Sequence, residues 1–220
     1  MKAIGNIYLT WRKGKGASRT PIGVIKKNTT EGIRFHYIKN GVDTARGDGF
    51  TDFPDFPDTN EDKIYTENVL EIISKRLTNS DRSDIQKYYD FWEINSQYKE
   101  DKYYLLAHTQ GMLATDNFEF LADYSPIKGL SFISEICGLS HTKIASDFIA
   151  VGDELVWKLD RENRYDSKAV NVFKDDKYLG NVKLIHCNVF CKKGGEALKI
   201  KVKNIEKNGC LNRVFIKISF

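Results

Sequence analysis

From Leu130 onward, short apolar runs recur with turn residues between them, and that spacing leaves room for strands and little else. Leu130–Cys137, Val156-Trp157-Lys158-Leu159, Ala169-Val170-Asn171-Val172-Phe173, Tyr178–Val182, Ala197–Ile205 and Asn212–Phe220 are each the length of a strand. Several alternate apolar with polar side chains, the period-two signature of a half-buried strand. Asp175-Asp176-Lys177 reads as a hairpin turn and Leu184–Lys193 as one short helix. The last 95 or so residues are therefore expected to close a β-barrel with a single helix.

The preceding region is more mixed. Ile7, Leu9 and Trp11 alternate with polar residues, Ile22-Gly23-Val24-Ile25 is a short apolar run, and Ile33, Phe35 and Tyr37 alternate again. Residues 1–46 thus read as β. The basic, glycine-rich stretch Lys13–Arg19 lacks the Gly-Lys-Ser/Thr ending of a phosphate-binding loop and reads as a hairpin loop. Two Phe-Pro steps in Gly49–Asp58 exclude a helix there. Its phenylalanines are expected to pin an extended acidic loop, 47–61, onto a core. The aspartates lack the glycine turn and distal glutamate of a calcium loop. Ile64, Val69, Leu70, Ile72, Ile73 and Leu77 follow helical spacing, and so do Ile85, Tyr88, Tyr89 and Trp92 after a break at Thr78-Asn79-Ser80. This predicts helices over 62–95, the second capped by Ser83 or Asp84. Residues 103–121 read as strands. The expected organisation is an α+β protein, mostly β, with an N-terminal α+β region over 1–125, a connection around Pro126, and a barrel over 129–220.

Charge is unevenly spread. Residues 1–46 carry ten Lys/Arg against two acids, residues 47–125 seven against seventeen, and residues 126–220 seventeen against eleven. Two readings stay open: the segments pair their charges with one another, or a basic face meets a polyanion. No apolar run approaches the ~20 residues of a membrane span, and the start has no signal-peptide core. Four cysteines do not make a disulfide framework in a chain of 220 residues. A reduced, cytoplasmic protein without a membrane partner is expected.

One stretch is specific. Leu159-Asp160-Arg161-Glu162-Asn163-Arg164-Tyr165-Asp166-Ser167-Lys168-Ala169-Val170-Asn171-Val172, followed by Leu179-Gly180-Asn181-Val182, resembles the HIRAN domain, and Gly138-Leu139 fits the Gly-Leu step of that family. The resemblance covers residues 129–220. It implies an OB-like β-barrel that binds single-stranded DNA at free 3′-OH ends, a polar turn taking the terminal hydroxyl while aromatic and basic groups hold the last bases and phosphates. Carried onto this chain, it gives Asn163, Tyr165, Asp166, Lys168, Asn181 and Lys183 as contacts. Ser140 and His141 stand where end-binding members carry a basic residue and an aromatic, which removes one phosphate contact and leaves stacking to His141.

The chemistry of these side chains suits the role. A carboxylate such as Asp166 accepts a hydrogen bond from a 3′-OH and repels a 3′-phosphate. Tyr165 offers a π-face for a base, and Lys168 and Lys183 can neutralise phosphates. Asn163 can both donate and accept. Asn-x-x-Asp sequences also build turns through side-chain-to-backbone bonds, so Asn163 and Asp166 carry a structural reading alongside the functional one. Residues 1–125 look similar to the region preceding this domain in stand-alone bacterial HIRAN proteins. Residues 5–37 also share a likeness with the small β subdomain of HipA-type toxin kinases, without a kinase motif.

Cys137, Cys187, Cys191 and Cys210 form no Cys-x-x-Cys pair, so neither zinc nor any other cofactor is expected. Adjacency of His186 and Cys187 does not place them in bonding geometry. A non-enzymatic DNA-binding protein is the leading expectation. The rivals are a protein-interaction subunit of a toxin–antitoxin or defence-type system, docking through the basic 1–46 or acidic 47–125 segment, and a metal-dependent hydrolase or nuclease.

Overall fold

The computed structural model describes residues 3–163 and 166–220. It is α+β and mostly β, and it divides into two compact units: Ile4–Asp123, and Tyr124–Phe220 together with Ala3.

The first unit holds a five-stranded sheet in the order β4-β3-β2-β1-β5, built from β1 (Ile4–Trp11), β2 (Thr20–Asn28), β3 (Gly32–Tyr37), β4 (Ile64–Tyr65) and β5 (Phe118–Tyr124). The alternating residues Ile7, Leu9, Ile25 and Phe35 are all buried, as the period-two pattern requires. The Phe-Pro loop is extended and pinned: Phe50, Phe53 and Phe56 are buried, and Phe56 stacks on Phe35 at 4.6 Å between ring centroids. The Tyr37 hydroxyl fixes the loop by donating to the Phe56 carbonyl at 2.6 Å and accepting the Phe53 N–H at 3.1 Å.

Three expectations for this unit are corrected. Residues 1–46 are not all β, because α1 (Lys39–Gly47) follows β3 and buries Val42 and Ala45. Residues 62–95 are not all helical. Ile64, placed on the helical pattern, instead pairs with His36 in β4, and the helices are the short α2 (Val69–Ser74) and α3 (Ile85–Phe91). Asp84 does occupy the cap position of α3, but its side chain makes no cap bond and is held by Arg82 instead. Residues 103–121 are not strands throughout, since α4 (Lys102–Thr109) precedes β5. The Asp101 carboxylate accepts the backbone N–H groups of Tyr103 and Tyr104, satisfying two of the donors a helix start leaves open.

The second unit is a closed barrel in the order β10-β11-β6-β9-β8-β7. Its strands are β6 (Ser131–Cys137), β7 (Glu154–Asp160), β8 (Ala169–Lys174), β9 (Lys177–Val182), β10 (Lys199–Asn208) and β11 (Cys210–Ser219). Val170, Val172, Leu179, Val214, Ile216 and Ile218 fill its interior. The two longest strands, β10 and β11, form a hairpin, whereas two joints have only two residue pairs each: β6 with β9, through Ile136 with Val182 and Cys137 with Asn181, and β7 with β10, through Leu155 with Ile200 and Glu154 with Lys201. A helical turn, α5 (Leu139–Thr142), leaves β6 after Gly138, whose φ of +87° suits glycine. The single helix expected over 184–193 is instead a 3-10 turn, Leu184–Cys187, running into α6 (Asn188–Cys191). Trp157 reaches inward to this segment, packing edge-on against Phe190 while its indole N–H donates to the Leu198 carbonyl at 2.9 Å.

Among the described residues, no helix is long and apolar enough to cross a membrane.

Candidate nucleic-acid interface

The connection between β7 and β8 is braced by its own polar side chains. Asp160 pairs with Ala169 at the end of the ladder, so residues 161–168 form the turn. The Asn163 side chain donates to the Asp160 carboxylate at 3.0 Å and accepts the Asp166 N–H at 3.1 Å. The Asp166 carboxylate in turn accepts the Lys168 N–H at 2.8 Å, and the Asp166 carbonyl accepts the Ala169 N–H at 2.9 Å. Both side chains therefore build the turn, as Asn-x-x-Asp sequences can. That leaves the Asp166 carboxylate half-buried, with Lys168 exposed two residues on. Tyr165 lies outside the described residues.

Asn181 is drawn into a polar row on β8 and β9. It stands opposite Asn171 and donates its side-chain N–H to the Asn171 side-chain oxygen at 2.7 Å. The Tyr178 hydroxyl donates to the Asn181 side-chain oxygen. Burial and the negative charge of nearby Asp160 raise the pKa of Tyr178. The Asp160 carboxylate that braces the Asn163 turn is thus an electrostatic neighbour of the tyrosine that binds Asn181.

Ser140 and His141 are exposed on α5, three and four residues beyond Cys137, the partner of Asn181 across the β6–β9 seam. The Thr142 hydroxyl ties α5 to β9 by donating to the Leu179 carbonyl at 3.1 Å. Ser140, His141 and Asn181 are thereby held on neighbouring elements.

Lys183 is a correction. It was expected to neutralise a phosphate, but its side chain has no exposed surface, and its ammonium lies 3.1 Å from the Glu135 carboxylate. Glu135 also holds Arg213 at 3.1 Å, so one acid on β6 binds two cations. A lysine enclosed this way cannot reach a phosphate in solvent.

Two further residues brace the candidate site: Asp160, which anchors Asn163, and Asn171, which anchors Asn181. The hairpin register would have found Asn171, because alternation along β8 puts it on the same face as its neighbour in β9.

Cys187 is buried, Cys137 half-buried, and Cys191 and Cys210 exposed, all as free thiols. Burial pushes the Cys187 thiol pKa well up, which opposes a reactive thiolate. Among the described residues, no three His, Cys, Asp or Glu side chains converge on a point that could hold a metal ion.

No protein-family model and no curated protein matches the sequence. Among solved structures, the chain is similar to the HIRAN domain of human HLTF, at 14% identity and a TM-score of 0.33, over 40% of this chain and 74% of that one.

Proposed function

We propose that this protein is a non-enzymatic binder of single-stranded DNA whose barrel takes hold of a free 3′-hydroxyl end. The observation that carries the reading is the Asp166 carboxylate, half-buried on a turn fixed by Asn163 and the Lys168 N–H. A fixed carboxylate can accept a hydrogen bond from a terminal hydroxyl with little reordering, and it repels a terminal phosphate. Lys168, exposed beside it, supplies a phosphate contact. Ser140, His141 and Asn181 offer hydrogen-bonding groups from neighbouring elements, and Tyr165 supplies the stacking face that the HIRAN-like sequence gives it. We place the protein in the cytoplasm, where exposed thiols such as Cys191 and Cys210 stay reduced.

The test is the binding of short labelled oligonucleotides with a 3′-OH, a 3′-phosphate, or only a 5′ end accessible. The protein should prefer the 3′-OH. Asp166→Asn should narrow the gap by weakening the hydroxyl end and relieving the phosphate end. Equal binding of all three by the parent protein would sink end recognition.

A further inference from the structure

Away from the turn, the outer face of the barrel carries a row of apolar side chains that the hydrophobic core does not use. Val156 on β7 stands opposite Phe173 on β8, which stands opposite Tyr178 on β9. Val156 is 53% exposed and Tyr178 39%. The rings of Phe173 and Tyr178 lie 5.7 Å apart between centroids. The row is edged with cations. The Lys158 ammonium sits 5.3 Å from the Phe173 ring centre, and the Lys177 ammonium 5.5 Å from that of Phe148. An open cleft of about 750 Å³ continues the row at the β8–β9 hairpin, lined by Thr142, Phe148, Lys174, Lys177, Tyr178 and the two turn aspartates.

We infer that this face is a second, side-on contact for single-stranded nucleic acid, with bases lying on Tyr178, Phe173 and Val156 and phosphates passing Lys158. The inference rests on the proposed single-strand binding and extends it from the terminal nucleotide to those that follow. A lysine set over a ring favours flat, anionic partners, because a base and its phosphate engage both groups together. An apolar protein surface would strip water from Lys158 and return nothing to it. Three neighbouring strands span about 10 Å, enough for about two or three bases. Asp175 and Asp176 repel phosphate, so the backbone runs on the Lys158 side. Lys174 is already occupied by Asp153 at 3.5 Å. The face is continuous with the end site, because the Tyr178 hydroxyl donates to Asn181 and Asp160 lies near it.

The experiment measures, on the full chain, affinity for 3′-OH oligothymidylates of about three and about eight nucleotides. The parent should bind the longer one more tightly. Tyr178→Ala and the paired change Val156→Glu with Lys158→Glu should each weaken the longer one by about tenfold, toward the short one. The preference for 3′-OH over 3′-phosphate should survive in the paired variant, which leaves the bond from Tyr178 to Asn181 in place. Tyr178→Phe, which keeps the ring and loses only the hydroxyl bond to Asn181, should weaken the longer strand less than alanine does. If end preference is present but the folded double variant binds the longer strand like the parent, the side-on contact is wrong while the end site stands. If the parent binds single strands without end preference and both variants weaken it, the end site is wrong and this face stands. A parent protein that binds no oligonucleotide overturns both.

Discussion

The Lys183 ammonium lies 3.1 Å from the Glu135 carboxylate with none of the lysine side chain exposed. Removing one partner of a buried pair costs about 3–5 kcal/mol, because the other is left enclosed and less fully compensated. Lys183→Ala should therefore lower stability to denaturant by that order. Arg213 still reaches Glu135, which keeps the cost toward the lower end. At temperatures where the variant stays folded, the salt dependence of DNA binding should match the parent, since a buried lysine releases no counterion.

Asn163→Ala should act on both stability and binding. It removes the bonds to Asp160 and to the Asp166 N–H, at roughly 0.5–1.5 kcal/mol each. With the turn unbraced, the Asp166 carboxylate loses its fixed position, so discrimination between 3′-OH and 3′-phosphate ends should fall along with the melting temperature. Asn163→Ser, whose hydroxyl can still accept a hydrogen bond without setting a second carboxylate against Asp160, should retain more of the discrimination than alanine.

Acid should destabilise the first unit through His108. The ring is buried and stacked on Tyr104 at 4.1 Å between centroids, and burial pushes its pKa down to about 4. The unfolded chain takes up its proton near pH 6.5. Between those values the unfolded state binds more protons, so stability is fully present above about pH 6.5 and is lost as pH falls toward 4. The loss from this group is on the order of 3 kcal/mol. Denaturant melts at pH 7 and pH 5 measure it, and an NMR titration of the ring should show it still neutral at pH 5 in the folded protein.

Gly180→Ala should loosen the barrel. A Cβ there would lie 2.2 Å from the Cys137 carbonyl oxygen and 2.8 Å from the Ile136 side chain. Both neighbours belong to β6, so the clash pushes β6 and β9 apart at the two residue pairs that join them. A cost of about 1–3 kcal/mol or more is expected, visible as a lower melting temperature.

The barrel was legible because its strands alternate and its turns are marked. Val170 and Val172 point inward, Asn171 outward, and Asp175 makes the turn at a positive φ of 51°. The helix α4 was not, because five of the residues from Tyr103 to His108 are buried, and an element buried nearly all round shows no period. Read alone, that apolar run suits a strand, and the informative residue was Asp101, whose capping bonds depend on the helix being there. Lys183 was misread for a related reason. It follows Val182, which already points inward, so alternation sends it out; the chain leaves the strand there for a 3-10 turn and the parity ends. Glu135 lies 48 positions upstream, too far for local pattern to pair the two.

The two-pair seam between β6 and β9 makes the barrel a loop with a clasp. One other joint, β7 with β10, is as short, and the rest are longer, β10 with β11 above all, so fluctuations short of unfolding should part the wall at these two joints before the others. Residues on both lips belong to the proposed end site: Asn181 on one, Ser140 and His141 just past the other. A strand end that touched both lips would hold the clasp shut, and the amide protons along it would exchange with solvent more slowly in its presence.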